Sequence, residues 1–281
     1  MEPPEQRRSR NVTPLRERPQ DPLSRAPHQR CGEEFAGKGS GMFSRVGLAK
    51  MIDHSVLRPD ATEDDILRCC DEAIEYHFAC VVVLPYLCHV ADRRLRGSDV
   101  KVGTVISYPF GGVPTQVKVY EARQCMSAGA TELDIVVNLS AVKSHDYSVV
   151  QRDLEDVVTV CNLAGLTEDG DDILTKVIIE VGLTSREEQT RVCRIAKAVR
   201  ADFIKTCTGL GPRGVTIQDV KHIRQAVGRE MGVKAAGGIR TIEQATSLIN
   251  AGANRIGTST GVAIVEAYDQ SQGALTEEAL R

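Results

Sequence analysis

Leu48-Ala49-Lys50-Met51-Ile52-Asp53-His54 is a short apolar run that continues as Ser55-Val56-Leu57-Arg58-Pro59. No glycine follows it, so the first turn lacks the Gly-x-Gly-x-x-Gly loop with which an open doubly wound sheet grips a dinucleotide. Seven runs of the same kind come after it: Cys80–Leu84, Lys101–Ile106, Glu132–Val137, Lys176–Val181, Ala201–Cys207, Gly232–Ala236 and Arg255–Thr258. Most are rich in β-branched residues and apolar on both faces, as strands covered on both sides must be. Helix start signals stand between them: Thr62-Glu63-Asp64-Asp65, Thr216-Ile217-Gln218-Asp219 and Thr241-Ile242-Glu243-Gln244. Gly129 and Gly252 sit where helices should stop. In the helix opened by Thr62, Ile66, Cys70, Ala73, Ile74 and Phe78 recur at the spacing of a core face. Eight strands alternating with helices over roughly 220 residues predict an α/β fold, a (β/α)8 TIM barrel of eight parallel strands with outer helices.

The rest of the chain sets boundaries. Of 281 residues, 42% are hydrophobic and 26% charged, with a net charge of −3; this is the balance of a globular protein and gives no bulk attraction to nucleic acid. No apolar run approaches the roughly 20 residues of a membrane helix, and the first residues hold no apolar stretch of a secretory signal. Nine cysteines, without a Cys-x-x-Cys pair or a Cys/His ligand spacing, read as reduced thiols of a cytoplasmic protein rather than a disulfide framework or a metal site. Residues 1–45 are rich in arginine and proline and lack periodicity, so a disordered extension is expected. Glu2, Glu5, Glu17 and Asp21 count against a transit peptide. The barrel is expected over 46–268 and a polar tail over 269–281.

Active sites of such barrels gather at the C-terminal strand ends, so position along a strand sorts the charges. Lys101 and Lys176 open their runs and read as solvated rim lysines. Asp134, Lys205 and Lys234 lie inside theirs, where a charge is costly unless paired or used. A salt bridge from Asp134 to one lysine leaves the other without a partner. Two ammoniums facing each other penalise each other's protonation, and bringing a lysine from about 10.4 to about 7 takes roughly 4 to 5 kcal/mol. A neutral amine attacks carbonyls, and the resulting iminium draws electrons from the adjacent carbon–carbon bond. These residues do not say which lysine is the nucleophile.

Beyond the seventh run come Gly237-Gly238-Ile239-Arg240, and the eighth gives Gly257-Thr258-Ser259-Thr260-Gly261. Thr206-Cys207-Thr208-Gly209-Leu210-Gly211 follows the sixth. Glycine loops at these strands, before a short helix, suit a phosphorylated substrate.

Taken in order, Ile52-Asp53-His54, Glu132-Leu133-Asp134, Phe203-Ile204-Lys205-Thr206-Cys207-Thr208-Gly209, Val233-Lys234-Ala235-Ala236-Gly237-Gly238-Ile239-Arg240 and Arg255-Ile256-Gly257-Thr258-Ser259 resemble the deoxyribose-phosphate aldolase family. The resemblance covers about residues 51–266. It implies a class I aldolase without metal or cofactor that interconverts 2-deoxy-D-ribose 5-phosphate with D-glyceraldehyde 3-phosphate and acetaldehyde. By motif, Lys205 resembles the Schiff-base lysine, Lys234 the lysine that tunes it, and Asp134 the carboxylate that relays protons. Gly209, Gly237, Gly238 and Ser259 match positions that hold the substrate phosphate, with Arg240 beside them. Asp53 is counted with this binding set as support for the polar network; capping its loop is the other role left open. Barrels of this kind often form homodimers. Cys207 stands where serine is common, and Leu210 replaces a lysine that some members place beside the phosphate. Some members end in a tyrosine that reaches the active site, whereas this chain ends Glu278-Ala279-Leu280-Arg281. A transaldolase-like enzyme and a phosphosugar-binding barrel without catalysis are the other readings; the buried surplus of charge argues against the binder.

Overall fold

The computed structural model describes residues 44–164 and 172–279, with side chains as far as residue 270. All but the last two residues of the expected N-terminal extension lie outside the described residues. Eight parallel strands close into a barrel in sequence order, each hydrogen-bonded to the next and β8 back to β1. They are β1 (Ile52–Val56), β2 (Cys80–Val83), β3 (Lys101–Ile106), β4 (Glu132–Val136), β5 (Leu174–Ile178), β6 (Phe203–Lys205), β7 (Gly232–Ala236) and β8 (Arg255–Thr258). The helices are α1 (Arg45–Ala49), α2 (Glu63–Tyr76), α3 (Cys88–Leu95), α4 (Thr115–Ser127), α5 (Leu139–Lys143), α6 (Tyr147–Leu163), α7 (Arg186–Ala198), α8 (Ile217–Val227), α9 (Ile242–Asn250) and α10 (Gly261–Ala279).

Local chemistry starts helices at the three expected positions, Thr62, Thr216 and Thr241, and also at Ser185. Thr62, Ser185, Thr216 and Thr241 each close a capping box, their hydroxyls accepting from the backbone three residues on while Asp65, Glu188, Asp219 and Gln244 reach back. The core lies between the strands and the helices, where Leu48, Ile66, Phe78, Leu133, Ile135, Leu154 and Ile204 are fully buried. Alternation along each strand then decides which side chains enter the barrel. On β1, Asp53 points inward, while His54 faces the helical layer and meets Glu72 of α2 at 2.7 Å.

Two expectations are corrected. Leu48 and Ala49 belong to α1, not to the first strand: the Ser44 hydroxyl accepts from the Gly47 N–H and caps one helical turn, a choice that a short apolar run leaves open. β5 begins two residues before Lys176 because Thr175 is anchored to Asp202, its N–H and hydroxyl both donating to the carboxylate at 2.8 Å. Lys176 is therefore a mid-strand core residue and not a rim lysine, whereas Lys101 does open β3 and is only partly buried. At the C-terminal end, α10 runs on through the polar residues after 268 to Ala279; these include good helix formers and no proline.

Candidate active site

Register brings charged side chains from six strands together inside the barrel. Lys205 of β6 is level with Lys234 of β7, and Lys234 with Arg255 of β8. On the other side Asp134 of β4 is level with Lys176 of β5. Asp134 Oδ2 accepts from Lys205 Nζ at 2.9 Å and from Lys234 Nζ at 2.8 Å, so the two ammoniums face each other across a single oxygen atom. Its Oδ1 accepts from Lys176 Nζ at 2.9 Å. Lys176 also donates to Glu132 Oε2 at 2.6 Å, and Lys234 Nζ lies 2.5 Å from Asp53 Oδ2. Arg255 closes the ring, reaching Asp53 Oδ1 at 2.6 Å and Glu132 Oε1 at 2.9 Å. Every member is buried.

Two lysines and one carboxylate thus become four cations and three carboxylates, a surplus of one positive charge. The network decides where that surplus is least tolerated. Burial works to lower the Lys234 ammonium, but Asp134 and Asp53 outweigh it and hold the group above its ordinary value. For Lys176, Asp134, Glu132 and Asp53 outweigh burial by more. Lys205 has Asp134 alone. Burial, aided by Lys234 and Lys176, outweighs that carboxylate and pulls the Lys205 ammonium below its ordinary value. The expected mutual penalty is therefore one-sided, with desolvation ahead of the like-charged neighbour. Burial alone would raise the Asp134 carboxyl, yet the three lysines drive it well below the carboxylate range. Asp53 is likewise held at about 2, with burial overcome by Lys234, Arg255 and Lys176.

Above this cluster the loops after β6, β7 and β8 adjoin. Gly209, Gly237 and Gly238 have φ of +95°, +108° and +76°, left-handed values that a side chain resists. Val215 N–H donates to Gly237 O at 3.1 Å, and the Thr258 hydroxyl to Ile239 O at 2.7 Å, which tie the three loops into one rim. Gly209, Gly238, Ser259 and Arg240 are exposed on it, and α10 begins at Gly261, two residues after Ser259. Asp53 is not among them: it lies in the charged cluster below, bound to Lys234 and Arg255.

The model of the DeoC/LacD family aldolases matches residues 48–267, the whole barrel. This chain belongs to that family. A deoxyribose-phosphate aldolase of Thermococcus gammatolerans is 52% identical over 223 residues, which are 79% of this chain and 96% of that protein. One from Thermoanaerobacter sp. is 47% identical, over 80% of this chain and 98% of its own. Among solved structures, a deoxyribose phosphate aldolase from Aeropyrum pernix, described as having a unique tetrameric structure, superposes with a TM-score of 0.72 at 33% identity, covering 80% of this chain and 92% of its own.

Sequence reasoning missed three members of this charged cluster. Glu132 precedes Asp134 by two residues, so strand alternation alone could have put both carboxylates on one face. Lys176 was hidden by a strand boundary, and Arg255 by its place at the start of β8. Asp53, Cys80 and Glu132 also bring ligand atoms within 4.8 Å of one another. That donor set does not suit a cation: both carboxylates are engaged by Lys176, Lys234 and Arg255, and burial, reinforced by Glu132 and Asp53, pushes the Cys80 thiol well above its ordinary value.

Proposed function

We propose that this protein is a class I aldolase that reversibly cleaves 2-deoxy-D-ribose 5-phosphate to D-glyceraldehyde 3-phosphate and acetaldehyde, with Lys205 as the Schiff-base residue. The observation that carries the reading is geometric: Lys205, buried at the C-terminal end of β6 below a glycine-rich rim, contacts Asp134 alone, whereas Lys234 contacts two carboxylates and Lys176 three, and burial accordingly lowers its ammonium. Lys205, in its unprotonated form, adds to C1 of the open-chain sugar, and the carbinolamine loses its oxygen as water to give an iminium. A base takes the proton of the C3 hydroxyl. The C2–C3 electron pair moves into the iminium, which becomes an enamine, and glyceraldehyde 3-phosphate departs. Protonation at C2 and hydrolysis then return acetaldehyde and the free amine. Asp134 Oδ2, held between Lys205 and Lys234, is placed to pass these protons with water. The phosphate takes the rim of Gly209, Gly237, Gly238 and Ser259, with Arg240 at its edge.

Beside the charges, on β2 and β3, Cys80, Val82 and Val105 form an apolar wall with Leu57, Leu84 and Tyr108, a surface suited to the carbon side of a two-carbon donor. We also propose a homodimer; exposed Phe110, Val113, Val117 and Tyr120 on α4 and the loop before it support self-association, to be checked by molar mass in solution. A cytoplasmic, reducing setting accords with the eight buried free thiols among the described residues.

Acetaldehyde with borohydride tests the chemistry. An ethyl adduct on Lys205, and loss of both adduct and cleavage in Lys205→Ala, are expected. Retained cleavage in that variant would overturn the assignment. Phosphosugar binding without any adduct would make the protein a binder instead.

A further inference from the structure

Glu180 follows β5 and takes no part in the charged cluster. Its backbone is left-handed, φ +46°, a conformation that an L residue keeps only when its surroundings insist. The side chain is buried. Its Oε2 accepts from the Thr208 N–H at 3.0 Å and from the Thr208 hydroxyl at 2.6 Å. The same threonine is held from two more directions: its Oγ1 accepts from the Leu210 N–H at 3.1 Å, and its carbonyl accepts from the Tyr108 hydroxyl at 3.0 Å. Thr208 stands three residues after Lys205 and immediately before Gly209 of the rim. The other carboxylate oxygen, Oε1, is buried with no hydrogen-bond partner. It lies against Gly211, where an added Cβ would come within 2.5 Å of it.

We infer that Glu180 is a positioning residue that fixes the phosphate-holding loop after β6 by clamping Thr208, and that Gly211 is a glycine because the clamp occupies the space of its side chain. A neutral threonine–backbone turn would not need a buried carboxylate, and burying one for two hydrogen bonds is costly. Charge-assisted bonds to N–H and O–H of one residue fix both its backbone and its rotamer. The consequence falls on the loop rather than on Lys205, which is held separately by the β6 ladder and by Asp134.

This inference rests on the aldolase reading, and the experiment keeps the two apart. Gly211→Ala is the gentle probe: the new methyl displaces the flexible end of Glu180 and leaves the backbone in place. We expect it to raise KM for 2-deoxyribose 5-phosphate on the order of tenfold, as loss of loop positioning should. Reductive trapping of acetaldehyde on Lys205, which needs no phosphate, should keep its rate. Unphosphorylated 2-deoxyribose should lose less than the phosphate ester. Glu180→Ala should act like Gly211→Ala, Glu180→Gln should restore KM by keeping an acceptor oxygen, and the double variant Glu180→Ala/Gly211→Ala should be no worse than Glu180→Ala alone. If Glu180→Ala fails to fold, Thr208→Val carries the same expectation. Unchanged KM in Gly211→Ala and Thr208→Val, strictly additive effects in the double variant, or a fall in trapping equal to the fall in cleavage would each overturn the inference. Absence of any adduct in the unaltered chain would sink the aldolase reading itself, and the inference with it.

Discussion

The barrel interior is divided between two chemistries. From β4 round to β1 through β5, β6, β7 and β8, inward positions carry Asp134, Glu132, Lys176, Lys205, Lys234, Arg255 and Asp53. On β2 and β3 they carry Cys80, Val82 and Val105, capped by Leu57, Leu84 and Tyr108. The difference teaches how one amine is singled out. The apolar side, level with Asp53 and Asp134, withholds water and so lets burial act on the charges beside it. The charged side distributes carboxylates unequally, giving Lys176 three, Lys234 two and Lys205 one. Neither half suffices alone. Without the apolar wall all the ammoniums are solvated, and without the unequal sharing all the lysines are matched.

Asp134→Asn should break the charged half most severely. It leaves three lysines around a neutral amide and takes the surplus from one positive charge to two. Stability should fall by about 3–5 kcal/mol, the cost of stripping a partner from buried ions. Cleavage should fall by roughly 10²–10⁴-fold through loss of the proton-passing group. Adduct formation on Lys205 should persist at neutral pH, since its ammonium is then opposed by no carboxylate. Turnover and borohydride trapping, measured side by side with urea denaturation, separate these effects. Equal loss of trapping and cleavage would mean that Asp134 serves the amine rather than the protons.

Lys234→Met sharpens the comparison by removing the like-charged neighbour while keeping the stem. Asp134 Oδ2 then belongs to Lys205 alone, and the Lys205 ammonium should rise towards its ordinary value. The limb of the kcat/KM profile that reports Lys205 should move to higher pH, costing about tenfold at neutral pH for each unit of movement. A compensating gain should follow in alkali, where the amine is again neutral. The linked effect on stability has a fixed sign. In the unaltered protein, between the depressed Lys205 value and about 10.4, the unfolded chain holds a proton that the folded one does not, so this group adds stability as pH rises. That increment should shrink in the variant.

Much of this was legible before the structure, and the residue-level reasons differ. The fold followed from eight runs apolar on both faces, and seven of them became strands with only their ends adjusted. The run at Leu48 was misread at its start because Ser44, outside it, caps a helical turn. Asp134, Lys205 and Lys234 stood out since each interrupts an apolar run. Lys176 did not, because its status depends on Thr175 finding Asp202 across the sheet, a contact between residues 27 apart. The nucleophile could not be chosen from the runs at all. Choosing it requires counting carboxylates around each ammonium, and that count exists only once six strands are in register.

The smallest expected effect lies on the apolar half. Val105→Thr is nearly isosteric and puts one hydroxyl among Cys80, Val82 and Leu84. Its neighbour Thr104, facing the other way, shows what a hydroxyl on β3 requires: it donates to Val83 O at 2.9 Å. An inward hydroxyl replaces a methyl in an apolar wall and stands level with Asp134 of β4, so about 1–3 kcal/mol of stability should be lost, measured by the shift in denaturant midpoint. The pH limb assigned to Lys205 should stay where it is, because one hydroxyl brings no charge and little water. A limb that moves upward by a unit or more would show that the dryness of this wall, rather than the sharing of carboxylates beside it, sets the reactivity of the amine.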